Sequence, residues 1–242
     1  MSVRTRAVLF DFGGTLDWQE HWLDRFLRHY RAAGVELSRE ALDLAYNHAT
    51  RTAYRSVDTP RGEGLARIVG YLVSLQMRYL RERTTAVSDS GYPAIVARGD
   101  ALAQTIASAF VAESKVGLES SVGVLKSLPP YLRLGVISNF YGNLDRVLEE
   151  AGMAARMDVV VDSGKLGFYK PDPRIFEAAL RQLDVPPAAV VMVGDSLGKD
   201  CAPARRLGMR TVWLRTDSHQ ADRDGVADVT ISRLEELGSL RW

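Results

Sequence analysis

The stretch RAVLFDFGGTL, residues 6–16, decides how the chain is read. Four apolar residues, Ala7 to Phe10, end at Asp11 and run two residues later into the pair Gly13-Gly14. A short apolar run bounded by glycine suits a strand that is buried on both faces and empties into a loop. Strands of that kind belong to parallel sheets, whose connections are usually helical.

Working outward, the rhythm changes twice. From about Trp18 to Phe110 apolar residues recur at helical spacing: Trp22, Phe26, Leu27 and Tyr30, then Ala41, Leu42 and Ala45, then Leu72, Leu75, Met77 and Leu80. Breaks fall at Gly34, around 60–64 and across 88–93, so this block predicts four or five helices and no strand. After about 115, apolar runs at 132–137, 159–161, 190–193 and 211–214, with a weaker one at 228–231, alternate with helical patterns at 121–128, 143–151, 174–183 and 200–207. Such alternation predicts an α/β fold, a Rossmann-like doubly wound parallel sheet. Its core would comprise residues 1–17 and 113–242, with an all-helical block, 18–112, inserted after the first strand.

Composition narrows the function. The 242 residues are 46% hydrophobic and 25% charged, which excludes a disordered chain. Lys+Arg 31 against Asp+Glu 30 leaves a net charge of +1, no footprint for nucleic acid or an anionic membrane. No apolar run is long enough to span a bilayer, and Asp11 cuts off the apolar stretch before a signal-peptide core forms. The single cysteine, Cys201, allows neither an internal disulfide nor a cysteine-ligated metal site. A soluble cytoplasmic protein is expected.

In an open parallel sheet, ligands bind beyond the carboxyl ends of the strands. The residues just past the apolar runs are Asp11, Ser138-Asn139 and Gly194-Asp195-Ser196, with Lys170 further on in the loop KPDP. Each has a local alternative: Asp11 as a helix cap, Ser138 and Asn139 as caps of the next helix, Asp195 as the start of a turn. Together they bring an acid, a hydroxyl, a lysine and a second acid to one crevice.

With these residues in view, the chain resembles the haloacid dehalogenase superfamily over its whole length. The resemblance is carried by DFGGTL at 11–16, SN at 138–139, KPDPRIF at 170–176 and GDSLGKD at 194–200, four motifs in order at strand ends. The helical block matches the position of the cap in capped members. The resemblance implies that Asp11 is a nucleophile that attacks phosphorus, forming an aspartyl-phosphate that water hydrolyses. It implies a Mg²⁺ ion held by Asp11, the Gly13 carbonyl and Asp195, with Asp200 holding the metal's waters or ligating it directly. Lys170 would neutralise phosphate charge. Ser138, the neighbouring amides, Asn139 and the helix N-terminus that follows would bind the remaining phosphate oxygens. The substrate would be a small phosphate monoester, and the protein a monomer or a homodimer.

One position departs from the pattern. Phosphatases of the superfamily usually carry a second aspartate two residues after the nucleophile, which protonates the leaving alcohol; here it is Gly13. The superfamily's dehalogenases lack that acid too, but they work without metal and lack the metal-binding acid that Asp195 supplies here. A 2-haloacid dehalogenase is therefore the alternative, and a weakly catalytic phosphate-binding protein is a third reading. The phosphonatase branch needs a cap lysine, and no lysine precedes Lys115, which excludes it. Asp17 and Glu20 are either helix-start acids or replacements for the missing acid. His21, His29 and His48 read as structural, since a metal site needs three or more ligands. Trp18, Trp22, Tyr30 and Tyr54 read as cap core, and Cys201 as a packed small residue. Arg51, Arg55 and Arg61 are candidates for a second anionic group, in a chain rich in arginine.

Overall fold

The computed structural model describes residues 4–83, 92–216, 221, 222 and 224–242, with the side chains of 92–97 left aside. The expected break at 88–93 therefore falls largely outside the described residues. Contacts divide the chain into two units, one of residues 1–21 and 115–242 and one of residues 22–114.

The first unit is a Rossmann-like α/β domain. Its strands are β1 (Ala7–Phe10), β2 (Arg133–Ser138), β3 (Val159–Asp162), β4 (Val190–Gly194), β5 (Arg210–Leu214) and β6 (Val229–Ile231). They form one parallel sheet in the order β3-β2-β1-β4-β5-β6. All of β1 is inaccessible to solvent, as its unbroken apolar run requires. Leu9, Ile137, Val161 and Met192 from the sheet share one core with Ile175, Phe176 and Leu183. Those three lie on a helix, Pro173–Leu183, which starts with proline behind the cap Asp172, whose carboxylate accepts from Arg174 N.

The order of the sheet reverses beside β1: the chain builds outward through β2 and β3, then returns to place β4 on the other side. Phe10 is in register with Val136 of β2 and with Val193 of β4. Residues just past β1, β2 and β4 therefore meet at the switch point of the sheet.

The second unit is helical. It contains α1 (Trp22–Ala32), α2 (Arg39–Arg55), α3 (Leu65–Glu82) and most of α4 (Tyr92–Ser127), which kinks at Arg98. Gly34, with φ 78°, makes the turn after α1, and the Ser38 hydroxyl accepts from Ala41 N to cap α2. Phe26 stacks on Phe110 at 4.3 Å, and Trp22 meets the same ring edge-on at 5.0 Å. Arg25 is fully buried there, bonded to Glu113, Ser114 and the Phe110 carbonyl.

One feature differs from the sequence expectation. The pattern at 121–128 is not a separate helix; it is the last part of α4, which runs without a break from its kink at Arg98 to Ser127. The helix expected at 143–151 is observed at Leu144–Glu150. Among the described residues, no helix is long and apolar enough to cross a membrane.

Candidate active site

The loop after β1 is closed by its own backbone. Phe12 O accepts from Leu16 N and Asp17 N, while the buried Asp17 carboxylate accepts from Gly14 N at 2.8 Å. Gly14 takes the left-handed conformation, φ 85°, and a Cβ on it would stand 2.5 Å from Asp195 Oδ2. The second glycine of the motif is thus required twice over, by backbone and by space. Gly13 is not among the positive-φ glycines. Asp17 therefore staples the turn.

Asp11, 7% exposed, leaves β1 with Oδ1 accepting from Phe12 N at 2.7 Å and from the Ser138 hydroxyl at 3.1 Å. Lys170 Nζ, also buried, sits 2.7 Å from that same oxygen and 2.6 Å from Asp200 Oδ1. The other Asp200 oxygen accepts from Ser196 N at 3.0 Å. Asp195 follows β4, and its carbonyl accepts from the Trp213 indole at 2.9 Å, which ties it to β5. Carboxylate oxygens of Asp11, Asp195 and Asp200 all lie within 4.8 Å of one another.

The charges do not balance, since three carboxylates face one ammonium. Burial opposes the charged form of Lys170, but Asp11 and Asp200 outweigh it and hold the ammonium above its usual range. Burial, followed by the charges of Asp11 and Asp200, raises Asp195 well above the usual carboxylate range. Burial likewise pushes Asp200 up to about 6, against the pull of Lys170. An all-oxygen donor set with surplus negative charge fits a hard divalent cation. The space beside Asp195, which a Cβ on residue 14 would fill, is part of that fit.

The Asn139 side chain is engaged with the loop that carries the lysine. Its amide bonds Lys170 both ways, Nδ2 donating to Lys170 O at 3.0 Å and Oδ1 accepting from Lys170 N at 2.7 Å. The side chain thus sets the lysine's backbone. The helix N-terminus that follows is occupied as well: Leu144 N and Gly142 N donate to the Asp162 carboxylate. Asp162 and its neighbour Ser163 are absent from the sequence reading, although they directly follow the apolar run 159–161, the same signal that marks Asp11.

The remaining candidates take structural places. His29 bonds Glu113 at 3.1 Å, and exposed His48 lies against Tyr79. His21 is in the first unit, its Cα 3.5 Å from the position of a Cβ on residue 14. Arg61 is spent on the carbonyls of Ser56 and Tyr54, whereas Arg51 and Arg55 are exposed. Trp22 and Tyr30 are buried, Trp18, Glu20 and Tyr54 are partly exposed, and Cys201 is a buried free thiol.

A family model described as haloacid dehalogenase-like hydrolase matches residues 5–208. The phosphoserine phosphatase of Thermus thermophilus is 28% identical over 242 residues, covering 96% of this chain and 90% of its own. The glyceraldehyde 3-phosphate phosphatase of Methanothermobacter thermautotrophicus is 39% identical over 116 residues, covering 43% of this chain and 50% of its own. Among solved structures, a dehalogenase with an intermediate complex superposes with a TM-score of 0.65 at 19% identity, covering 99% of each chain.

Proposed function

Since this chain belongs to the haloacid dehalogenase-like hydrolases, we propose that it is a Mg²⁺-dependent phosphatase acting on a small phosphate monoester. One observation carries the reading: Asp195 stands beside Asp11 and Asp200, a third carboxylate that a single lysine leaves uncompensated. A metal-free dehalogenase has no use for that charge, whereas a divalent cation neutralises it. Relatives named as phosphatases support the same choice.

Asp11, the Gly13 carbonyl and Asp195 would hold the ion, with Asp200 at its side. When bound, it supplies Lewis-acid neutralisation of phosphoryl charge. Asp11 attacks phosphorus through a carboxylate oxygen, and the bond from phosphorus to the ester oxygen breaks. The leaving oxygen takes its proton from water, because Gly13 has none to give. A second water attacks phosphorus, releases its proton to solvent and frees phosphate, restoring the Asp11 carboxylate. Lys170 neutralises the phosphoryl oxygens and is aimed by Asp200 and, at its backbone, by Asn139. Ser138 orients the nucleophile. The helical second unit, inserted after β1, serves as the cap that selects substrate. The balanced charge and lone buried cysteine support a cytoplasmic setting.

Hydrolysis of p-nitrophenyl phosphate, aliphatic phosphates and 2-haloacids, each with Mg²⁺ and with excess chelator, tests the proposal. Metal-dependent release of phosphate is expected. Halide release in chelator would move the protein to the dehalogenase reading.

A further inference from the structure

Past the ends of β2 and β3 two loops are bonded to one another through Phe140, Gly142 and Leu144 on one and Asp162, Ser163 and Gly164 on the other. Phe140 N donates to the Ser163 hydroxyl, which donates back to Phe140 O, both at 3.0 Å. Gly164 N donates to the same carbonyl at 3.0 Å. The Asp162 carboxylate accepts from Gly142 N at 2.9 Å, from Leu144 N at 3.0 Å and from Gly164 N at 2.8 Å. Asp162 is 3% exposed and Ser163 not at all. The approach leaves no room for a side chain: a Cβ on Gly164 would lie 2.5 Å from Gly142 N and 2.6 Å from Tyr141 C.

The clamped loop begins at the two residues nearest the chemistry. Ser138 donates to Asp11, and Asn139 holds the backbone of Lys170. Lys170 itself lies eight residues beyond Asp162 on the other clamped segment. Residues 138–144 and 162–170 are thus fastened together at both ends, by Asn139 at one and by Asp162 and Ser163 at the other. Neither Asp162 nor Ser163 bonds Asp11, Asp195 or Asp200 among the described residues.

We infer that Asp162 and Ser163 are positioning residues for the reaction at Asp11, fixing the 139–144 loop so that Ser138 and Lys170 face the nucleophile together. The inference rests on reading Asp11 as the nucleophile. Two fastened segments leave no slack between a hydroxyl and an ammonium that must share one carboxylate oxygen. A displacement of about 1 Å in such a site can cost on the order of 100-fold in rate.

The test uses Asp162→Ala, Asp162→Asn and Ser163→Ala in the full chain, with p-nitrophenyl phosphate plus Mg²⁺ and with 2-chloropropionate as substrates. Rates are taken per folded molecule, the folded fraction being read from a thermal melt, and amide exchange is followed at 139–144. Asp162→Ala is expected to lower kcat roughly 10- to 100-fold on whichever substrate the wild type uses, with KM within about threefold, and to speed exchange at Phe140, Gly142 and Leu144. Asp162→Asn keeps one acceptor oxygen and should recover part of both losses. If Asp162→Ala does not fold, the same pattern in Asp162→Asn and Ser163→Ala decides. Folded variants with wild-type kcat, or with unchanged exchange in the loop, overturn the inference while leaving the phosphatase reading in place. A wild type active on neither substrate overturns the reading of Asp11 and the inference with it.

Discussion

Gly13 is the residue on which the chemistry turns. A phosphatase without an acid at this position must expel its leaving group unaided, so Gly13→Asp should raise the rate on alkyl phosphates. General acid catalysis sets the ceiling at roughly 10²–10⁴-fold, and imperfect placement will give less. The gain should shrink for p-nitrophenyl phosphate, whose leaving group needs little protonation. The backbone permits the change, because the left-handed turn falls at Gly14, φ 85°, one residue later. Gly14→Ala, by contrast, should lose metal binding as well as stability, since its methyl would enter the space beside Asp195. A stably folded Gly13→Asp protein that gains nothing on alkyl esters would show that such esters are not the substrate. Asp11→Asn should leave no measurable turnover in a protein that still folds; residual turnover above a trace would end the covalent mechanism.

At the scale of elements, the strand ends were legible and the connections less so. Asp11, Ser138 and Asp195 are legible because a continuous apolar run marks a buried strand and the polar residues after it mark its carboxyl end, whereas Lys170 comes from the loop KPDP further on. The pattern at 143–151 is met by α5, the helix Leu144–Glu150, while Ser138 and Asn139, which resemble caps, spend their side chains on Asp11 and Lys170. The continuity of α4 was hidden by a change of rhythm near 112. No proline interrupts that stretch, and Gly117 is no breaker there, since it lets the helix approach the Asp17 carbonyl. Gly135 tests the same logic inside the sheet. It sits in β2, where a Cβ would lie 2.8 Å from Leu9 and 2.9 Å from Val159 O. Gly135→Ala should cost about 1–3 kcal/mol by overpacking, read from denaturant titration. A neutral result would mean that β1 and β3 can spread to admit a methyl.

For the whole molecule, the question is what three buried carboxylates cost and what offsets them. Without a cation, Asp195 and Asp200 hold protons in the folded state at a pH where the unfolded chain has released them. Their folded values are raised, so their contribution is fully present below the unfolded value near 4 and is lost as pH rises, through about 6 for Asp200, with Asp195 acting in the same direction. Metal and protons therefore compete for the same oxygens. Stabilisation by a ligand follows its concentration relative to Kd, about 2.7 kcal/mol at a hundredfold excess. At fixed Mg²⁺ the rise in melting temperature should be small at pH 5 and grow through pH 6 to 8. Asp195→Asn should flatten that dependence and weaken Mg²⁺ binding, because one ligand loses its charge. The measurement needs no substrate, which makes it independent of any assignment of the reaction. A melting temperature that responds to Mg²⁺ equally at pH 5 and pH 8, or not at all, would remove the cation from this site and return the surplus charge to protons alone.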